Sequence, residues 1–219
     1  MNSQRLPGKV LKEVEGKPLL LYLLERLEKS PVLERIVVAT SDGGSDEPIA
    51  DFCRCREISC FRGSLANVAE RFCRLLNHYP GDAFVRISGD SPLLDPRLVT
   101  EAVVTLERST ADLVTNVLLR TFPKGQSVEV LRRDVFMRHY PCFAEDHDRE
   151  HVTPYFYRKS EMFNILNIES GEDWGEVQMS VDTEEDFLMI EKMIGLMDKP
   201  HWDYDVRALM GLRGLVLAG

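Results

Sequence analysis

Two acidic residues, Asp90 and Asp182, each close a short run of β-forming residues, in "VRISGD" and "MSVD". Carboxylates brought together from two strand ends could hold a hard divalent cation through oxygen alone. Mg²⁺ bound this way keeps waters and takes phosphate oxygens as its remaining ligands. A third such end, "VVATSD", closes on Ser41 and Asp42. Basic residues stand near these ends: Arg5, Lys9, Arg62, Arg71 and Arg86. Arg5 and Lys9 flank Pro7-Gly8 in "RLPGK", where a turn could aim backbone N–H groups at a polyphosphate while the two side chains neutralise it. Each feature has an ordinary reading too. Asp182 could cap the helix that begins at "TEEDF", a Pro-Gly turn between solvated cations is commonplace, and Arg62 and Arg71 could pair with Glu70 or its neighbours. Gly89 would let the backbone beside Asp90 approach a ligand closely.

Other chemistries find less support. His151, beside Glu150 in "REHVTPYFY", could hydrogen-bond a substrate hydroxyl, but the other four histidines fall at no metal-ligand spacing. No G-x-S-x-G elbow, G-x-G-x-x-G or G-x-x-x-x-G-K-[ST] signature is present, which counts against a serine hydrolase, ordinary dinucleotide binding and Walker-type hydrolysis. Five cysteines include the cluster Cys53, Cys55 and Cys60. With no second pair and no nearby histidine they read as reduced thiols rather than a zinc site. The net charge of -9 requires any anion site to be a local basic pocket and disfavours general nucleic-acid binding. No apolar run approaches the roughly 20 residues that span a bilayer, and no signal-peptide pattern opens the chain, so no membrane association and a cytoplasmic location are expected.

The elements that must position these residues alternate. Residues 18–29 carry leucines at helical spacing behind Pro18, and "RIVVATSD" reads as a buried strand. "SDEPIADFCRCR" reads as a helix, "EISCFRG" as a strand, "LANVAERFCRLLNHY" as a helix and "DAFVRISGD" as a strand, an alternation that argues for βαβ units and a mainly parallel sheet. A helix capped by Asp95 with Pro96 in its first turn follows, then strands in "ADLVTNVL" and "QSVEVLRR". Helices are expected in "RDVFMRHY" and "REHVTPYFYRKS", a strand in "MFNILNI", an extended segment in "VQMSVD", and a helix capped by Thr183 in "TEEDFLMIEKMIGLM". With 44% hydrophobic residues, 29% charged and no linker-like tract, residues 1–219 are expected to form a single globular domain. Ligands of open α/β sheets sit beyond the carboxyl ends of the strands, where these candidates fall.

The segments "SQRLPGKVLKEVEGKPLL", "IVVATSD", "FRGSLANVAERF", "VRISGDSPLLDP", "REHVTPYFY" and "VDTEEDF" occur in the order found in spore-coat polysaccharide (SpsF-type) cytidylyltransferases. The chain resembles that family over nearly its whole length, and is similar to the synthetases that activate 3-deoxy-manno-octulosonate and sialic acids as CMP derivatives. The resemblance implies a nucleotide-diphospho-sugar transferase fold, with a mixed, mostly parallel sheet and helices on both faces. It implies Mg²⁺-dependent transfer of CMP from CTP to a sugar or sugar acid for surface polysaccharide, with release of pyrophosphate. Arg5 and Lys9, with Ser3 in the same loop, would hold the triphosphate. Ser41, Asp42, Arg62 and Ser64 would lie by the nucleotide. Asp90 and Asp182 would be metal ligands, and Gln126, Glu129, Glu150 and His151 would line the acceptor side. By analogy with the sugar-acid synthetases, a homodimer stays open.

Two alternatives stand beside this reading. One is a glycosyltransferase, or a nucleotidylyltransferase using another nucleotide, on the same fold; "RLPGK" suits a triphosphate better than a diphosphate sugar. The other is a catalytically silent binding protein with an incomplete N-terminus. The resemblance places a central buried strand of the kind "AIIQAR" ahead of the loop, and this first strand is absent from residues 1–219. An upstream start is the expectation favoured; a chain complete as given would show a gap in the sheet, weakened nucleotide binding or a strand lent by another subunit.

Overall fold

A computed structural model describes residues 5–219. The chain enters through a turn at residues 5–9 and a 3-10 turn at Lys9–Leu11. A hairpin (β1, Glu13–Val14; β2, Lys17–Pro18) leads into α1 (Leu19–Leu27). The expected alternation follows: β3 (Val38–Ser41), α2 (Glu47–Cys55), β4 (Cys60–Gly63), α3 (Val68–His78), β5 (Ala83–Arg86) and α4 (Pro96–Glu107). Beyond them come β6 (Leu113–Thr115), β7 (Glu129–Arg132), α5 (Arg133–His139), α6 (Asp146–His151), α7 (Pro154–Arg158), β8 (Ile165–Asn167), α8 (Glu184–Gly195) and α9 (Val206–Ala218).

β3 and β4 pair in parallel, and a separate four-stranded sheet has the order β5-β7-β6-β8. In that sheet β7 runs antiparallel to both β5 and β6, while β6 and β8 are parallel. The architecture is therefore mixed, with as much antiparallel as parallel pairing in these two sheets, because β6 and β7 are joined by a returning loop rather than a crossover helix. Among the described residues no strand pairs with both β3 and β5.

Alternation along β6 and β7 explains the two layers of helices. Val114 and Val130 face a core built with Leu20, Leu23 and Leu24 of α1 and Val99 and Leu106 of α4. Their neighbours Leu113 and Leu131 face the opposite side, against Phe136 of α5, Phe156 of α7 and Leu76 of α3. Each fully buried side chain of this kind contributes about 1.5–3 kcal/mol of transfer free energy. A third cluster joins α8 and α9 to Leu19, Tyr22, Leu93 and Val181. Arg26, fully buried in α1, donates to the backbone carbonyls of Leu94, His201 and Tyr204 and so ties that C-terminal layer to the first.

Two sequence expectations are corrected. The helix expected across "REHVTPYFYRKS" is two helices, because Val152 turns at φ 72 and Pro154 opens α7, where its ring could not continue α6. α9 had no counterpart among the expected elements; its interior holds Gly211 and Gly214, and the helix is stabilised by burial of Val206, Leu209 and Leu212 behind an Asp205 cap.

Candidate active site

The 5–9 turn is held by the backbone. Leu6 is buried, and Gly8 adopts φ 72, the left-handed conformation a glycine takes without strain. The 3-10 turn that follows closes with Leu11 N–H on the Gly8 carbonyl at 2.9 Å. This directs the Lys9 side chain inward, where Nζ donates to Asp90 Oδ2 at 2.6 Å and to Asp182 Oδ1 at 2.9 Å. Arg5 Nη2 reaches the same Asp182 oxygen at 3.3 Å from a more exposed position, and Gln178 Nε2 donates to the other at 3.4 Å. Four groups proposed from sequence therefore meet in one place, across 81 and 173 residues of chain.

Local structure decides what each carboxylate is free to do. Thr183, not Asp182, caps α8: its hydroxyl accepts from Asp186 N–H while Asp186 accepts from Thr183 N–H, a reciprocal capping box. Asp186 also accepts from Asp182 N–H at 3.0 Å, which leaves the Asp182 carboxylate to face Lys9. Asp90 follows β5, and its carbonyl accepts from Val181 N–H at 2.9 Å, so the backbones carrying the two acids are bonded to each other. Gly125, at φ 97, holds this segment from the other side; a Cβ there would stand 2.5 Å from Ser180 N. Gly89 is not packed against backbone in this way: an added Cβ would meet Val10 and Leu20 side chains at 3.8 and 3.9 Å.

The charges support one another. Burial alone would lower the Lys9 ammonium, but the hydrogen bonds and negative charge of Asp90 and Asp182 outweigh it and raise its pKa above the usual lysine value. Burial alone would likewise raise Asp182, yet Lys9, Arg5 and Gln178 hold it below the ordinary carboxylate range. Two carboxylate oxygens already converge on one cationic nitrogen, with side chains 23% and 31% exposed, so the pair fits a divalent cation whose other ligands are water and phosphate. No group of three or more His, Cys, Asp or Glu residues among the described residues could hold a metal without such outside ligands.

The other expected site residues fall into distinct environments. Ser41 is buried at the end of β3, and Asp42 is exposed just beyond it. Arg62 spends its guanidinium on this turn, donating to the Ser41 carbonyl at 3.0 Å, the Gly43 carbonyl at 3.1 Å and Glu47 at 2.6 Å, so it braces the turn. Ser64 Oγ accepts from Asn67 N–H at 2.9 Å ahead of α3. Asp46, which the sequence reading passed over, accepts from Thr40 Oγ and Ser41 N–H; burial alone would raise its pKa, but the hydrogen bonds hold it far below. Its signal was an acid just past Gly43-Gly44 in a loop that has to close on itself. Ser3 lies outside the described residues.

Of the residues expected to line an acceptor, Gln126 is fully buried and brackets residues 93–95, donating to the Leu93 carbonyl and accepting from Asp95 N–H, each at 2.8 Å. It supports the segment after Asp90 from a position closed to solvent. Glu129 is buried between Arg86 Nη1 at 2.6 Å and the Tyr157 hydroxyl, and that hydroxyl also bonds Thr115 at 2.9 Å. Burial, then the Glu129 charge, pushes the Tyr157 phenol well above its ordinary pKa and keeps it a donor. Glu150 and His151 lie exposed on α6, with the His151 ring 4.6 Å from that of His147. Partial desolvation is the largest influence on His151 and holds its imidazole below its usual value. Tyr157 was missed because its part in "TPYFY" depends on which of three aromatics turns toward the sheet.

A family profile described as Cytidylyltransferase matches residues 1–204. The chain is 28% identical over 200 residues to the spore coat polysaccharide biosynthesis protein SpsF of Bacillus subtilis, covering 88% of this chain and 82% of that one. It is 32% identical over 184 residues to a 3-deoxy-manno-octulosonate cytidylyltransferase of Chlamydia trachomatis, covering 76% and 70%. Among solved structures, a cytidylyltransferase from Leptospira borgpetersenii superposes with a TM-score of 0.92 at 25% identity over 100% of this chain and 92% of that one. A CMP:2-keto-3-deoxy-manno-octonic acid synthetase complexed with CTP has the same fold, with a TM-score of 0.64 at 17% identity over 89% and 94% of the two chains.

Proposed function

The chain belongs to the cytidylyltransferase family of nucleotidyltransferases, and from that membership we propose that it transfers CMP from CTP to a hydroxyl of a sugar or sugar acid, releasing pyrophosphate, in the cytoplasmic synthesis of a surface polysaccharide. The observation that carries the reading is the meeting of Lys9 and Arg5 with Asp90 and Asp182 at the carboxyl end of β5. The relatives support it through their printed activities, and the solved synthetase was captured with CTP.

In this reading the acceptor hydroxyl gives up its proton to solvent as its oxygen bonds to the α-phosphorus, while the bond to the pyrophosphate oxygen breaks. Arg5 and Lys9 stand where cations would meet the negative charge that grows on the leaving pyrophosphate. Asp90 and Asp182 would hold Mg²⁺, which would supply positive charge against the negative charge developing on the phosphates. The half-buried capping box at Thr183 and the bond between Asp90 and Val181 hold the segments that carry the two carboxylates, so little reorganisation would accompany the reaction. The turn at residues 41–43, clipped by Arg62 and Asp46, offers a rigid polar edge beside the nucleotide. Arg86, Glu129 and Tyr157 form a neutralised polar patch suited to hydroxyl groups.

A pyrophosphate-release screen of the four nucleoside triphosphates with Mg²⁺ against a panel of sugars and sugar acids tests the reading. Release with CTP and at least one acceptor is expected; release with another triphosphate in preference to CTP, or with none, overturns it.

A further inference from the structure

Lys9 stands in the position a metal would need. One ammonium touches both carboxylates, Asp90 at 2.6 Å and Asp182 at 2.9 Å, and with its side chain 12% exposed it is the most shielded member of the group. A divalent cation drawing ligands from the same two oxygens would sit about 2.1 Å from each. It would then occupy the volume of Nζ and repel its charge. The two cations exclude each other. Arg5, with its side chain 66% exposed, touches Asp182 Oδ1 at 3.3 Å and is less shielded than Lys9.

From this geometry we infer that Lys9 is the resident counter-ion of the Asp90–Asp182 pair, keeping divalent metal out until a triphosphate offers its ammonium another anion. The inference rests on the functional reading and deepens it, because it sets an order: metal enters with the nucleotide. The backbone allows the exchange without refolding. Lys9 is held through its own main chain, with N–H on the Leu6 carbonyl at 3.3 Å and its carbonyl accepting from Lys12 N–H at 3.1 Å, so only the flexible side chain has to swing. Removing the ammonium leaves two like charges facing each other, which a divalent cation relieves. A site blocked most of the time binds with an apparent affinity reduced by its open fraction.

The test is Mn²⁺ binding to the nucleotide-free protein, followed by the loss of the free-ion electron paramagnetic resonance signal. Lys9→Met keeps the aliphatic stem without the charge, and Lys9→Gln keeps two N–H donors for the carboxylates should the first variant fold poorly. Each is expected to bind one Mn²⁺ at least about tenfold more tightly than the wild type. Adding Asp90→Asn to either should abolish the gain. Equal affinity in wild type and variants, no gain in either variant, or a gain that survives Asp90→Asn overturns the inference. Calorimetry with Mn²⁺ and CTP on the wild type separates the two ideas: binding there with no Lys9 effect leaves the functional reading standing and removes the counter-ion, and a Lys9 effect without CTP binding does the reverse.

Discussion

Replacing Asp90 by Asn removes one negative charge from the proposed metal pair and almost nothing else. The amide has nearly the same shape, keeps an oxygen for Lys9, and leaves Lys9 its 2.9 Å bond to Asp182. Asp90 is 23% exposed on its side chain, so water screens part of the lost pair energy. The expected change in folding stability is about 1 kcal/mol. The expected change in catalysis is much larger. A group that meets transition-state charge in a fixed site contributes at least about 2.7 kcal/mol, or about 100-fold in kcat/KM. Urea denaturation measures the first quantity, and pyrophosphate release with CTP, Mg²⁺ and the acceptor found by screening measures the second. Turnover within a few-fold of wild type at saturating Mg²⁺ would refute the metal assignment, because no other charge on Asp90 remains to do that work.

Three further outcomes follow from the structure. Arg26→Met should cost on the order of 3–5 kcal/mol in chemical denaturation, since it leaves the buried carbonyls of Leu94, His201 and Tyr204 without their donor; a loss below about 1 kcal/mol would show that water replaces it. Gly125→Ala should lower the melting temperature and weaken CTP binding together, because the new Cβ pushes on Ser180 N and the segment leading to Asp182; unchanged values for both would show that the backbone yields there without consequence. Burial holds the His201 imidazole, bonded through Nε2 to Glu25 at 2.8 Å, below its ordinary value. The unfolded chain therefore binds this proton first, so the contribution is present above the ordinary histidine pKa of about 6.5 and is lost as pH falls toward the depressed folded value. Urea melts of wild type and His201→Gln should converge as the pH falls through that window, and a constant difference would contradict it.

The sequence by itself determined the alternation of strands and helices, the caps at Asp95 and Thr183, and the strand end on which Ser41 stands, whereas Asp90 lies four residues past β5 and Asp182 closes an extended segment that forms no strand. Those are statements about neighbours in the chain, where periodicity and capping chemistry act. It did not show that Thr183 would free the Asp182 carboxylate, although both residues were in view, because the choice between two adjacent caps depends on which side chain another part of the molecule claims. Nor did it distinguish Arg62, whose donors close a turn, from Lys9, whose donor reaches two acids. Gln126, assigned to the acceptor side through the family resemblance, is a buried bracket for residues 93–95. Only the tertiary structure placed one ammonium between carboxylates 81 and 173 residues away. Local sequence reports the face of an element a residue occupies; which charges meet across elements is set by how the layers pack, and that is a property of the whole chain.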